Sequence, residues 1–496
     1  MKKWIVFLML GCVCRSVMSA DATLMTVYED ALTSDPIFQQ AIAERFSSRE
    51  DIPINRALLL PQLGALATPT ISHSHDSNSG LSGTARGYSL ALNVTQTVFD
   101  FSKFHALSGA KAEGKQADAQ LNAAAQNLIL RVSSAYFAIL QDKDNLTYIR
   151  ANQEAYGKQL DQVNQQYKVG LKTLTDVYTA EASYDTASAE RIAAEAALEN
   201  DKENLRVITG AVYPHFAKLS EKFPLISPLP SEREAWVKTA LQQNWDIKSA
   251  QYAVLASLDK LKQQNAGHYP TLNLQGSYTY SYSSNISSTV DLTNNTLYPG
   301  HITDAALSMN LGVPLFQGGL VVSKTNKARY DYQVALRKLD ESRRNTANSA
   351  RQSYLNIMAG IRKMEADKLA VKSAISSYEG LEAGYHVGTQ TLVDVLNQLQ
   401  KVYQAELTYS KDRYAYLNNL LILKDAAGTL SVADVQAVNA WLVNDKKTAA
   451  PWLQAKRTTL IRVAKVEKSK ILSSVKNTGS KQKDIEKDMQ RLAEQA

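Results

Sequence analysis

Two stretches of this chain have residue types at spacings that could do chemistry, and both stop short of it. Gly109-Ala-Lys-Ala-Glu-Gly114-Lys115 has the glycine and lysine spacing of a phosphate loop, but Gln116 stands where a Ser or Thr would hold Mg²⁺. The stretch also reads as helix rather than as a strand-to-helix loop. His73 and His75 put two rings on one strand face without an Asp, Glu or Cys to complete a metal site, so a polar hairpin end accounts for them. No nucleophile elbow and no zinc-protease motif occurs, so hydrolysis has no support, and neither an enzyme nor a cofactor is expected.

The telling polar residues belong to a segment that occurs twice. Tyr167-Lys-Val-Gly-Leu-Lys-Thr-Leu-Thr-Asp176-Val177 returns as Tyr385-His-Val-Gly-Thr-Gln-Thr-Leu-Val-Asp394-Val395. The same offset (394 − 176 = 218) takes Tyr136 to Tyr354, Leu205 to Leu423 and Gly210 to Gly428. Nearer the N-terminus the offset is 209, carrying Ala31-Leu32 to Ala240-Leu241 and Pro61 to Pro270. The chain is therefore a tandem duplication of a unit about 200 residues long.

Charge and cysteine usage narrow the class. The net charge of +7 is local: residues 446–496 hold 13 Lys and Arg against 5 Asp and Glu, which leaves 7 − 8 = −1 for residues 1–445. Basic character thus belongs to a tail, and nucleic acid is not an expected partner. Residues 1–20 join Lys2 and Lys3 to an apolar run and small residues near Ala20, the pattern of a secretory leader. Cys12 and Cys14, the only 2 cysteines, fall inside it. Met9-Leu10-Gly11-Cys12 weakly resembles a lipoprotein box. Beyond the leader no run of 18 apolar residues is present, so any membrane crossing is expected from strands.

Each unit has the same plan. A helical stretch, residues 24–60 and again 235–266, the second opened by the capping-box sequence Ser231-Glu-Arg-Glu234, ends at a proline. Period-two strands follow: Leu272, Leu274, Tyr278, Tyr280 and Tyr282 share one face, with Asn273, Gln275, Ser277, Thr279 and Ser281 on the other. Leu307, Met309, Leu311, Val313 and Leu315 continue the pattern, as do Leu90, Leu92, Val94 and Val98. Strands of about nine to eleven residues with one apolar face suit a bilayer-spanning barrel. Helical periodicity then runs over residues 102–168 and 319–386, rods of about 100 Å, and returns over 176–209 and 394–427.

The expected organisation is a leader (1–20), a first unit (21–210; hairpin 62–100, tip turn 167–176), a linker (211–230), a second unit (231–428; hairpin 270–316, tip turn 385–394), a short helix (429–445) and the basic tail (446–496). Two hairpins supply four strands, too few to close a barrel, for which about eight is the minimum. Strands must be pooled, eight from a dimer or twelve from a trimer, because open edges cannot sit in lipid.

The duplicated hairpin and long-helix plan, the paired Tyr-x-Val-Gly turns and Tyr414-Ala-Tyr-Leu-Asn-Asn-Leu420 before Ala427-Gly-Thr-Leu430 resemble the TolC family of outer-membrane ducts. The likeness implies a mainly α chain with a membrane β-barrel: a long-helix α-barrel plus four strands per chain in a trimeric, twelve-stranded barrel. It implies a passive exit duct in the cell outer membrane for efflux or type I secretion. It also implies a periplasmic adaptor and an inner-membrane pump of RND or ABC type as partners. By the same resemblance the helix tips hold the gate. Asp394 matches one of two acidic positions a turn apart, and Asn397 replaces the second; a multivalent cation could bind a ring of Asp394 carboxylates. Asp176, Tyr385 and Gln390 match a lock between hairpins, with Gln390 where the family commonly has arginine, and Lys172 could reach Asp394 instead. Val169-Gly170 and Val387-Gly388 match the adaptor-docking turns. The competing reading, a periplasmic coiled-coil adaptor or scaffold without a pore, shares the leader and the helices but has no use for strands of membrane length.

Overall fold

A computed structural model of the chain describes residues 21–75, 82–220, 223–286 and 298–443. The expected leader, with Cys12 and Cys14, and the expected basic tail lie outside these residues. The first repeat comprises α1 (Leu24–Ser34), α2 (Pro36–Ala57), β1 (Gln62–His75), β2 (Ser82–Phe99), α3 (Phe101–Lys168) and α4 (Leu174–Thr209). After the two-residue strand β3 (Lys218–Leu219), the second comprises α5 (Arg233–Gln243), α6 (Trp245–Asn265), β4 (Thr271–Ile286), β5 (Tyr298–Gly312), α7 (Leu320–His386) and α8 (Leu392–Ala426). The helix α9 (Val432–Asn439) follows.

Both helices expected to lead into a hairpin are broken in two, at equivalent places (244 − 35 = 209). Asp35 caps α2 by accepting from the Phe38 N–H at 2.7 Å, with Pro36 pre-set for the first helical turn. Asn244 caps α6, accepting from the N–H groups of Asp246 and Ile247 at 3.0 and 3.2 Å. The capping box expected at Ser231 does not form. Glu232 occupies the cap position of α5 without a side-chain bond, and Glu234 turns instead to Arg351 of α7 at 3.2 Å.

The four strands make one antiparallel sheet in the order β1-β2-β4-β5. Register puts Leu63, Leu92, Tyr278 and Ala305 on one face, since Leu63 pairs with Val94, Leu92 with Tyr278 and Tyr278 with Ala305. That face is aliphatic toward the helices and aromatic toward the hairpin tips, where Tyr88 stacks on Tyr282 with ring centroids 5.6 Å apart. The reverse face carries Thr68, Asn93, Ser277 and Ser308. The strands run 14, 18, 16 and 15 residues, longer than expected. The apolar part of each has the expected length, and the ladder continues past it on Ser, Thr and Gly.

α3 and α7 have 68 and 67 residues, about 100 Å each at ~1.5 Å per residue. α4 packs on α3, α8 on α7, and α6 lies against both α3 and α7. The apolar core gathers about the middle of α3, where Leu128, Val132, Phe137 and Ile139 are buried against α1, Phe216 and Leu417. Tyr136 ties this centre together: its hydroxyl donates to the carbonyls of Ala22 and Ala217, each at 3.0 Å. Its repeat mate Tyr354 (354 − 136 = 218) donates to Ser231, the mate of Ala22 (231 − 22 = 209). An 18-residue window of α3 is apolar enough to cross a membrane, but half of it is buried within the protein. The phosphate-loop look-alike is internal to α3. A Cβ on Gly109 would touch Asp259 Cβ at 3.7 Å and one on Gly114 would touch Ile52 Cδ1 at 3.2 Å, so these glycines admit neighbouring helices.

Asp35 also holds α1 and α2 against α3. Its side chain is 1% exposed and accepts both Arg131 guanidinium nitrogens, at 3.0 and 2.6 Å. Burial pushes this carboxyl up, but the Arg131 bonds and the Phe38 N–H outweigh it and hold it below the usual carboxylate range. The stability this lowered value confers is present above the unfolded carboxyl pKa, ~3.9, and is lost as pH falls through the lower folded value. Arg131→Met leaves the carboxylate buried and unpaired. We expect a loss of about 3–5 kcal/mol at neutral pH in denaturant titrations, shrinking as Asp35 becomes protonated in acid.

Candidate functional site

The two helix-hairpin tips are built alike. α3 ends where Gly170 adopts φ 76° and α7 where Gly388 adopts φ 80°, a left-handed conformation that favours glycine. The turns close with matched bonds, Leu171 N–H to the Gln166 carbonyl and Thr389 N–H to the Gly384 carbonyl, both at 2.9 Å. These turns present Val169 and Val387 outward, 70% and 76% exposed, and in doing so raise an apolar knob at each tip.

Beyond each turn a threonine starts the return helix. Thr173 caps α4 and Thr391 caps α8, and in each the acid three residues on completes a capping box. Asp176 accepts from the Thr173 N–H at 3.0 Å and hydroxyl at 2.9 Å. Asp394 accepts from the Thr391 N–H at 3.1 Å and from its hydroxyl. Within one chain both carboxyls are held below the usual range. For Asp394 the Thr391 hydroxyl bond is the main cause and the backbone bond the second. For Asp176 the Thr173 backbone bond leads, then the hydroxyl, with a smaller part from the Lys172 charge. Asn397 lies one turn beyond Asp394 and is exposed, while Val395 and Leu396 between them are buried. Asp394 and Asn397 therefore share a face directed away from the packing.

The four residues expected to form the lock are distributed differently. Tyr385 reaches the first hairpin, but its hydroxyl accepts from Gln162 Nε2 on α3 at 2.9 Å, while Asp176 is engaged by its own cap. The charge of Lys172 acts on Asp176 of the same hairpin. Gln390 is exposed and folds back on its own turn, its Cγ only 2.7 Å from where a Cβ on Gly384 would sit. Gln162 was not legible in advance. It sits mid-pattern in a long helix, and its repeat mate is Gly380 (380 − 162 = 218), so duplication carries no trace of it. The caps were legible, since Thr-x-x-Asp appears in both copies of the repeated segment.

At the other end, β1 and β5 are the sheet's outer strands, each with one hydrogen-bonding edge unpaired within the chain. His73, on β1, has its Nδ1 3.0 Å from the Thr84 hydroxyl across the hairpin. Among the described residues no cluster of three or more His, Cys, Asp or Glu suits a metal.

A ribbon with one lipid-suited face, continuous with paired hairpins of 100 Å helices, defines a subunit of an outer-membrane duct. The comparisons agree. A model described as "Outer membrane efflux protein" matches residues 27–211 and again 236–429, reproducing both repeat offsets (236 − 27 = 209; 429 − 211 = 218). The outer membrane protein TolC of Vibrio cholerae is 36% identical over 424 residues, covering 86% of this chain and 94% of that protein. TolC of Escherichia coli is 37% identical over 427 residues, covering 86% of each. The alkaline protease secretion protein AprF of Pseudomonas aeruginosa is 28% identical over 434 residues, covering 86% of this chain and 88% of that one. The crystal structure of the CmeC outer membrane channel of Campylobacter jejuni superposes with TM-score 0.72 at 16% identity over 85% of this chain and 90% of that one, a likeness of fold. The chain belongs to the outer membrane efflux protein family.

The Gln162–Tyr385 bond is neutral and contributes about 0.5–1.5 kcal/mol. Removing it in Tyr385→Phe should raise the open-to-closed ratio at the tip by roughly two- to tenfold per bond, read as more frequent openings in planar-bilayer recordings. Unchanged opening would mean that this contact does not hold the tip.

Proposed function

We propose that three copies of this chain form an outer-membrane exit duct for efflux or type I secretion. The sheet supports this reading most directly: four strands cannot close, one face is apolar over membrane length, and both edges are open. Three chains pool 3 × 4 = 12 strands. The polar face, with Thr68, Asn93, Ser277 and Ser308, then lines the lumen, and the long helices continue the conduit into the periplasm. Its work is passage rather than catalysis. The secretion of a protease named for AprF supports protein cargo as one class of traffic through such a duct.

The helix tips are the gate in this reading. Three Asp394 side chains about the axis form a single anionic ring, because Asn397 contributes no charge. Two effects act on its protonation: the Thr391 cap holds each carboxyl low, and repulsion among the three raises it. The apolar knobs Val169-Gly170 and Val387-Gly388 are the docking points for a periplasmic adaptor, which in turn engages an inner-membrane pump. A pore-free adaptor or scaffold is disfavoured by the ribbon, whose Leu63, Leu307, Met309 and Leu311 are all exposed in a single chain.

Two measurements test the gate. A trivalent cation added from the tip side should block the reconstituted channel, and Asp394→Asn should abolish that block; a block that survives the substitution removes Asp394 from the ring. Gln390→Arg should add a charged donor at the lock, worth about 1.5–3 kcal/mol against about 1 for a neutral one, and so reduce spontaneous opening. Conductance and opening identical to the parent would show that position 390 takes no part in closure.

A further inference from the structure

At one level the two helix hairpins differ in kind. Lys363, Asp367 and Asp412 come together between α7 and α8, and their repeat mates on α3 and α4 are Asn145, Ile149 and Ala194 (363 − 145 = 367 − 149 = 412 − 194 = 218). Ala194 is buried and Ile149 packs on the apolar core, so neutral side chains close the first hairpin here. Charged ones close the second. Lys363 Nζ stands 2.9 Å from each Asp412 oxygen and is aligned for a hydrogen bond at Oδ1 alone. Asp412 is 9% exposed, and its Oδ2 and that of Asp367 are both buried without a hydrogen-bond donor. The Asp367 carboxyl lies within hydrogen-bond reach of the Asp412 carboxyl.

Two carboxylates this close repel, whereas one proton between them makes a short, charge-assisted O–H···O bond. We propose that Asp367 and Asp412 share one proton that ties α7 to α8, and that losing it to water loosens the second hairpin on the way to its tip. The pair lies 388 − 367 = 21 residues from the Gly388 turn, about 30 Å at ~1.5 Å per residue, and so is separate from Asp394.

The surroundings leave the tie to this proton. Lys363 is the cation that acts on Asp367, and its hydrogen bond goes to Asp412. α3 faces the same stretch of α8 with Asp144, whose carboxylate accepts from the Ser410 and Tyr414 hydroxyls at 2.7 and 2.9 Å. Arg413 donates to the Ser220 carbonyl at 2.8 Å. Lys401, Gln404 and Thr408 line a groove with Asp367, which gives the proton a path to solvent. Burial first, then the bond to Asp412 and its charge, push Asp367 up to about 6, and Lys363 offsets only part of this. A folded value above the unfolded ~3.9 gives support that is complete below ~3.9 and lost as pH rises through about 6. The tie therefore holds in acid and is released at neutral pH. It stands on its own geometry, while its effect on opening rests on the gate proposed above.

Hydrogen–deuterium exchange of the full chain in detergent, with labelling times scaled to intrinsic rates, reads the tie directly. From about pH 5 to about pH 7.5, exchange over residues 360–371 and 408–416 should accelerate roughly tenfold, the change in opening equilibrium for a carboxyl that moves between about 6 and ~3.9. The equivalent segments of the first hairpin, 142–153 and 190–198, should show no such acceleration. Asp367→Asn places a permanent donor beside Asp412 and should keep the acid-like protection at both pH values. Lys363→Asn/Asp367→Ile/Asp412→Ala copies the first hairpin, should also remove the pH dependence, and keeps the test valid if Asp367→Asn fails to assemble. Acceleration that is absent from the parent, equal in both hairpins or retained in either variant overturns the proposal. In planar bilayers Asp367→Asn should open less often than the parent at about pH 7.5 and equally often at about pH 5. Exchange as expected with equal opening at the higher pH overturns the transmission to the tip and leaves the tie standing.

Discussion

A backbone N–H or carbonyl in hydrocarbon must have a partner, and leaving one unpaired there costs several kcal/mol. The four-stranded sheet of this chain presents two rows of such groups, along β1 and β5, next to apolar side chains suited to lipid. Every other large feature follows from resolving that conflict. In the proposed duct, closure needs more strands than one chain has, so copies join. Once joined around an axis, each ribbon continues into helices that are also arranged around it, and a barrel becomes a duct.

Long helices alone would be a weak scaffold, since a rod of about 100 Å bends and slides unless held along its length. Here the hold is at mid-length. Tyr136 is fully buried and reaches the Ala22 and Ala217 carbonyls, and Tyr354 repeats the contact at Ser231. Asp35 and Arg131 fix the start of α2 near the same level. The tips, by contrast, are held by caps within each hairpin and by a neutral bond between hairpins, Gln162 to Tyr385. The molecule is thus firm at its centre and lightly tied at its tips, where the proposed gate lies.

Much of this was legible in residue order. Repeat offsets of 209 and 218 made Tyr136 and Tyr354 equivalent, and the structure gives them equivalent hydrogen bonds that use both numbers at once, Tyr136 to Ala22 and Tyr354 to Ser231. Period-two alternation anticipated the faces of the sheet, because side chains on a strand have no choice but to alternate. Less was legible where a short polar side chain competes with a helix. Asp35 and Asn244 break helices that looked continuous, since each caps the next helix better than it continues the last. Within one chain the contacts at the tip differ from the expected lock for a related reason. Asp176 and Asp394 had local partners three residues away, and a bond within one turn costs less ordering than one between hairpins. Gln162 had no local signature at all.

The proposed duct depends on chains pooling their ribbons, and counting chains in the intact particle tests that most directly. Native mass spectrometry of the detergent-extracted protein should give a mass three times that of the mature subunit, with no stable population at one. A particle of one chain, soluble without detergent and with its tyrosine-lined sheet face protected from solvent labelling, would contradict it.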